Sequence, residues 1–236
     1  MTRRQAALSP VNEVSRAEAG PGHGQKVINL AITAVQWPLF QKAVSVTVEV
    51  QTGDGSGAGV ILTTDGLILT AYHVIRGAKR LTVSRCSLHL RSKRIVRRGR
   101  YRCDVIATDR KADIALIKMR RAPKNLRSCR LGDSDRLELH DPLYRVGRDK
   151  VPLAAGFLLA FGRHNGVAEL EIGMDNAPGA SGGPVFDGNG RVVAIALRGD
   201  FESKMPQRSY AIPIKVVCWR FFHSRDVRGL RRSDRR

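Results

Sequence analysis

One serine in this sequence stands in a run of small, turn-forming residues, Pro178-Gly179-Ala180-Ser181-Gly182-Gly183-Pro184-Val185. Glycine reaches backbone conformations closed to residues with a side chain. Such a string can lift one hydroxyl out of a turn and aim the amides of Gly179 and Ser181 at a single point. A hydroxyl beside two convergent N–H donors is the minimum equipment for acyl transfer through an oxyanion. A bare Gly-x-Ser-x-Gly would read as a surface turn. Here Val185-Phe186, the turn Asp187-Gly188-Asn189-Gly190 and the apolar run Val192 to Leu197 follow. That is a loop feeding a hairpin, which puts Ser181 at the mouth of a sheet.

A serine hydroxyl needs a base, and the base needs an orienting group. Leu67 to Ala71 reads as a strand that runs into Tyr72-His73, and Ala112-Asp113 enters the apolar run Ile114 to Ile117. Asp104 and Asp109 are rivals for the carboxylate. Asp113 is preferred because it alone abuts that apolar strand, which could bury it beside His73. Asp109 reads as a turn cap. Two tight turns, Gly53 to Gly57 and Thr64-Asp65-Gly66, separate β-branched runs from Val44 onward and deliver His73 with little slack.

The stretches Gly55 to Leu62 (Gly-Ser-Gly-Ala-Gly-Val-Ile-Leu), Thr70 to Val74 (Thr-Ala-Tyr-His-Val), Ala112 to Lys118 (Ala-Asp-Ile-Ala-Leu-Ile-Lys) and Gly179 to Val185 resemble the chymotrypsin-fold serine peptidases, most closely the bacterial HtrA-type, trypsin-like peptidase domain. Leu131 to Asp135, Gly156 to Arg163 and Tyr210 to Pro213 are weaker echoes, and the likeness covers about Ala43 to Val217. It implies an all-β fold of two packed six-stranded antiparallel β-barrels with the active site between them. It also implies a serine endopeptidase that needs no metal or organic cofactor. Ser181 would be the nucleophile, His73 the base and Asp113 its orienting partner, with the amides of Gly179 and Ser181 as the oxyanion hole. The intervals of 40 and 68 residues between His73, Asp113 and Ser181 leave room for the remaining strands of both barrels.

Several departures matter. Ala180 stands where zymogen-activated relatives have an aspartate, so no such activation is expected. Gly147-Arg148-Asp149 replaces the Gly-Asn-Pro usual in the HtrA group, and the loops are shorter, so that group's regulatory loop behaviour does not carry over. Too few residues follow Val217 for the PDZ domain common in that group. For specificity, Asp175 falls six residues before Ser181, where a trypsin-like pocket has its floor. Arg198 falls on the pocket wall and is expected to reach inward to Asp175. A filled, neutralised pocket of that kind favours small apolar P1 residues over Arg or Lys.

Composition bounds the rest. The chain has 236 residues and a formal charge of +20. Its 42% hydrophobic and 26% charged residues fit a globular domain, and the charge predicts affinity for polyanions such as nucleic acid or anionic lipid. The basic residues gather in 85–102 and 220–236. The first reads as a hairpin with a cationic face, either solvated or docking phosphate or acidic protein. Cys86 and Cys103 bracket it and could face each other across the strands, though free thiols are preferred. Neither the His73 nor the Ser181 loop carries a cysteine, which suits a reducing compartment. No Cys-x-x-Cys pair suggests zinc. Residues 1–26 read as a flexible arm without a signal-peptide core, favouring the cytoplasm over export. The peptidase domain is assigned to 27–219 and a basic tail to 220–236. The competing function is an adaptor that keeps the fold and binds nucleic acid or an acidic partner through its basic surface.

Overall fold

Between Leu67 and Ala71, between Ile114 and Ile117, and between Val192 and Leu197, no charged residue interrupts the sequence. Successive side chains on a strand point to opposite faces, so an unbroken apolar run needs burial on both. A computed structural model, describing residues 36–89, 94–146, 153–174, 179–200 and 208–222, shows how both faces are covered. All of these residues fall in one unit of the chain, residues 31–236.

The first barrel consists of β1 (Thr47–Gln51), β2 (Ser56–Ile61), β3 (Leu67–Ala71), β4 (Thr82–His89), β5 (Arg94–Asp109) and β6 (Ile114–Met119). It closes in the order β1-β2-β3-β6-β5-β4. The second consists of β7 (Pro142–Val146), β8 (Leu153–His164), β9 (Val167–Gly173), β10 (Pro184–Phe186), β11 (Val192–Asp200) and β12 (Arg208–Pro213). It closes as β7-β8-β9-β12-β11-β10. Both barrels are antiparallel throughout, which removes every sheet edge. Three α-helices, α1 (Gln36–Val46), the single turn α2 (Tyr72–Ile75) and α3 (Ile214–Phe221), and one 3-10 turn (Ser134–Arg136) complete the described fold. None is long and apolar enough to cross a membrane.

The apolar runs divide their side chains between barrel interior and barrel interface. On β3, Ile68 fills the first barrel, while Leu69 and Ala71 join the cluster shared by the two barrels. On β6, Ala115 and Ile117 point into the barrel, and Ile114 and Leu116 into the shared cluster. On β11, Val193, Ala194 and Ala196 fill the second barrel, with Val192, Ile195 and Leu197 at the interface. Burying one such aliphatic side chain is worth about 1.5–3 kcal/mol. The interface is therefore a hydrophobic core in its own right.

Three expectations change. The β-branched run from Val44 begins as helix: α1 continues to Val46 and the strand starts only at Thr47. Phe40, Ala43 and Val44 bury one helical face, and Pro38 sits in the first turn, where its missing N–H costs nothing. Cys86 and Cys103 do not face each other. Register sets Cys86 opposite Arg97 and Cys103 opposite Met119, because β5 runs on past the hairpin to pair with β6. None of the four cysteines is in a disulfide, and burial pushes the thiols of Cys86 and Cys103 up to about 11 and about 12. Helix α3 runs to Phe221, so Arg220 belongs to the folded domain rather than to the tail. The arm over 1–26, Arg91 and Lys93 of the basic stretch, Gly147-Arg148-Asp149 and residues 223–236 of the tail lie outside the described residues.

Candidate active site

The ladder between β3 and β6 sets Ala71 opposite Ile114. Asp113 precedes that pair by one residue on one strand, and His73 follows it by two on the other. The chain turns helical at Tyr72, and the Tyr72 amide donates to the Asp113 carbonyl at 3.0 Å. Both carboxylate oxygens of Asp113 are then used on one residue. Oδ1 accepts the His73 backbone N–H at 2.8 Å, and Oδ2 meets His73 Nδ1 at 2.6 Å. Asp113 has φ 53°, a left-handed conformation that Asp tolerates better than most side chains. With Nδ1 donating to the carboxylate, the other ring nitrogen of a neutral imidazole is an acceptor.

The rival carboxylates are committed elsewhere. Asp104 makes a forked ion pair with Arg120, its Oδ1 2.7 Å from Nη2. Asp109 caps the turn by accepting the Ala112 amide at 2.9 Å, and it also pairs with Arg220 at 3.2 Å.

The serine loop belongs to the second barrel and is pinned to both. The Ala58 amide on β2 donates to the Ser181 carbonyl at 2.8 Å, and the Gly182 amide donates to the Ala196 carbonyl on β11 at 2.7 Å. Gly182 has φ 82°, and a Cβ there would lie 2.4 Å from the Ala58 oxygen and from Thr70 Oγ1. Only glycine permits this approach of loop backbone to strand backbone. Thr70 Oγ1 donates to that same Ala58 carbonyl at 2.7 Å. The amides of Gly182 and Gly183 are thus spent on Ala196 and Ala180. Among the described residues the amides of Gly179 and Ser181 have no acceptor.

His73, Asp113, Gly179 and Ser181 line one cleft of about 460 Å³ between the barrels. The described hydrogen bonds include none between Ser181 and His73, a contact that commonly tightens only when substrate binds.

Arg198 also lines the cleft, and the partner it shows among the described residues is Glu169. Its guanidinium forks onto Glu169 of β9, with Nη1–Oε1 at 2.5 Å and Nη2–Oε2 at 2.8 Å, and lies 4.5 Å from the centroid of the Tyr210 ring. Asp175 lies outside the described residues. Glu169 is the site residue that sequence reading missed. The signal available for it was the alternation Val167-Ala168-Glu169-Leu170-Glu171-Ile172, which puts both glutamates on the face away from the barrel core filled by Leu170 and Ile172.

A family profile described as trypsin-like peptidase domain matches residues 57–195. The chain belongs to the trypsin-like peptidase domain family. Over 173 residues it is 31% identical to a probable periplasmic serine endoprotease DegP-like of Pseudomonas putida, covering 68% of this chain and 33% of that protein. Over 151 residues it is 32% identical to the magnetosome formation protease MamE of Paramagnetospirillum magneticum, covering 59% and 19%. The chain therefore spans a third or less of the length of these relatives. Among solved structures, Deg5 superimposes with a TM-score of 0.62 at 24% identity, covering 78% of this chain and 91% of that one. The HtrA-type protease AlgW with tripeptide has a TM-score of 0.60 at 25% identity, covering 75% and 59%.

Proposed function

We propose that this protein is a serine endopeptidase acting through an acyl-enzyme formed on Ser181. The observation that carries the reading is the double hydrogen bond from His73 to Asp113 at the cleft that Ser181 also lines. Ser181 Oγ attacks the scissile carbonyl, and His73 takes its proton and returns it to the leaving amine. Asp113 holds the imidazole tautomer and stabilises the imidazolium. The amides of Gly179 and Ser181 receive the oxyanion. The substrate is a polypeptide, in keeping with the peptide complex formed by the structural neighbour AlgW. A fluorophosphonate probe tests the proposal. Wild type is expected to label at Ser181, with Ser181→Ala unlabelled and His73→Ala strongly reduced. Equal labelling of wild type and His73→Ala overturns it. In the adaptor reading, residues 85–102 and 220–236 bind a polyanion while the cleft is idle, and no variant labels.

The primary specificity follows from the Arg198–Glu169 pair. It neutralises a carboxylate that is only 8% exposed on the cleft wall, so we assign small apolar P1 residues such as Val or Ala. Arg198→Gly would leave Glu169 uncompensated. In a P1-scanning peptide library this variant is expected to gain about tenfold or more for Lys and Arg relative to Val. Strong cleavage after Lys or Arg by the wild type would overturn the assignment.

A further inference from the structure

A second concavity lies away from the catalytic cleft, between α1, the β4–β5 hairpin and the loop at residues 125–127. Its volume is about 340 Å³. Arg85, Arg98 and Arg127 line it, together with the neutral polar groups of Gln41, Ser45 and Asn125, and among the described residues no carboxylate does. The nearby acidic groups are already spent. Glu49 holds Arg97 at 2.6 Å and Gln51 at 2.8 Å, and Asp104 holds Arg120. The primary structure adds no relief, since residues 84–102 contain eight Arg or Lys and no Asp or Glu, and residues 120–130 contain five and none. The one other titratable lining group, Cys86, is kept neutral by burial, which pushes its thiol up to about 11.

Arg85 is the most telling member. Its Nε is buried without a hydrogen-bond partner, and its guanidinium lies 5.8 Å from the Tyr101 ring centroid. A buried N–H donor on a cation is costly to leave unsatisfied. Three guanidinium groups around one concavity also repel one another. An oxyanion entering from solvent relieves that repulsion, and planar guanidinium forks match the oxygens of phosphate. The volume is near the lower end for small-molecule sites, about 300–1,000 Å³. Nucleic acid fits less well, because among the described residues no aromatic ring lines the concavity for a base to stack on.

We propose that this groove binds a phosphate group, free or carried by a small phosphorylated molecule, clamped by Arg85, Arg98 and Arg127. The site is independent of the catalytic cleft. The test is calorimetric titration of the full chain with inorganic phosphate, pyrophosphate, glycerol 3-phosphate and a DNA oligonucleotide, at ionic strength held constant with sodium chloride. Saturable binding near one site per chain is expected for pyrophosphate. The relative affinity of glycerol 3-phosphate and inorganic phosphate separates a phosphorylated metabolite from the free ion. Arg98→Gln and Arg127→Gln are expected to weaken pyrophosphate binding by about tenfold each. Both side chains are exposed, so these variants should fold even if Arg85→Gln does not. Arg231→Gln with Arg232→Gln in the tail should leave binding unchanged, and fluorophosphonate labelling should survive in Arg98→Gln. The proposal is overturned by absent binding. It is overturned equally by weak multi-site binding that fades with salt and ignores Arg98→Gln and Arg127→Gln, or by binding of the oligonucleotide alone.

Discussion

Asp113→Asn is expected to lower kcat/KM on a peptide substrate by roughly 10⁴-fold with the fold intact. Both oxygens of Asp113 accept hydrogen bonds from His73, one from the backbone and one from Nδ1. An asparagine keeps the shape and can still accept one of them. Its amide, however, can present an N–H to Nδ1. That favours the imidazole tautomer with the proton on Nε2, which cannot take a proton from Ser181. Thermal unfolding of the variant should therefore move little while turnover collapses. Asp104→Asn and Asp109→Asn provide the contrast. Asp104 forms an exposed pair with Arg120, and Asp109 caps a turn and meets Arg220. Their loss is expected to register in stability rather than in turnover. A 10⁴-fold loss in Asp109→Asn with an active Asp113→Asn would reassign the carboxylate.

Gly182→Ala is expected to cost roughly 3 kcal/mol or more and to abolish fluorophosphonate labelling. The added methyl meets the Ala58 oxygen and Thr70 Oγ1 at 2.4 Å and the Ala71 amide nitrogen at 2.7 Å. Ala58 and Ala71 belong to ladders of the first barrel and cannot retreat singly. The loop must instead move off, taking with it the Ala58–Ser181 and Gly182–Ala196 hydrogen bonds. An alanine would also be strained at φ 82°. Gly188→Ala is the matched control, because nothing lies within 4 Å of a Cβ there. It should stay within about 0.5 kcal/mol of wild type. Denaturant melts and probe labelling on the same two proteins check this. Undiminished labelling of Gly182→Ala would show that docking of the loop on the first barrel does not position Ser181.

The primary structure alone contained the strand pattern, the two turns that return β3 to His73, and the order His73, Asp113, Ser181. Each is a local signal: period-two apolar runs, glycine where the chain must reverse, and a polar residue at a strand end. That Asp113 rather than Asp104 or Asp109 could lie beside His73 was legible in the same way, because it needed only the apolar run that follows. The helix-to-strand boundary at Val46/Thr47 was not. Val44 and Val46 suit a strand by propensity, and only the barrel surface beneath α1 makes the helical face the better burial. The Cys86–Cys103 relation and the partner of Arg198 were also decided by tertiary structure. Register shifts at Val83/Arg85, Val105/Ala107 and Ala196/Arg198 set which side chains meet. A one-residue slip turns a side chain to the opposite face, and no local pattern reports where a bulge absorbs it. Glu169 meets Arg198 across 29 residues of sequence because β12 lies between β9 and β11 and brings them onto one wall. The residue types for a serine site are written in the chain. Which carboxylate neutralises its cleft depends on barrel closure, since ion-pair geometry is set by long-range strand order.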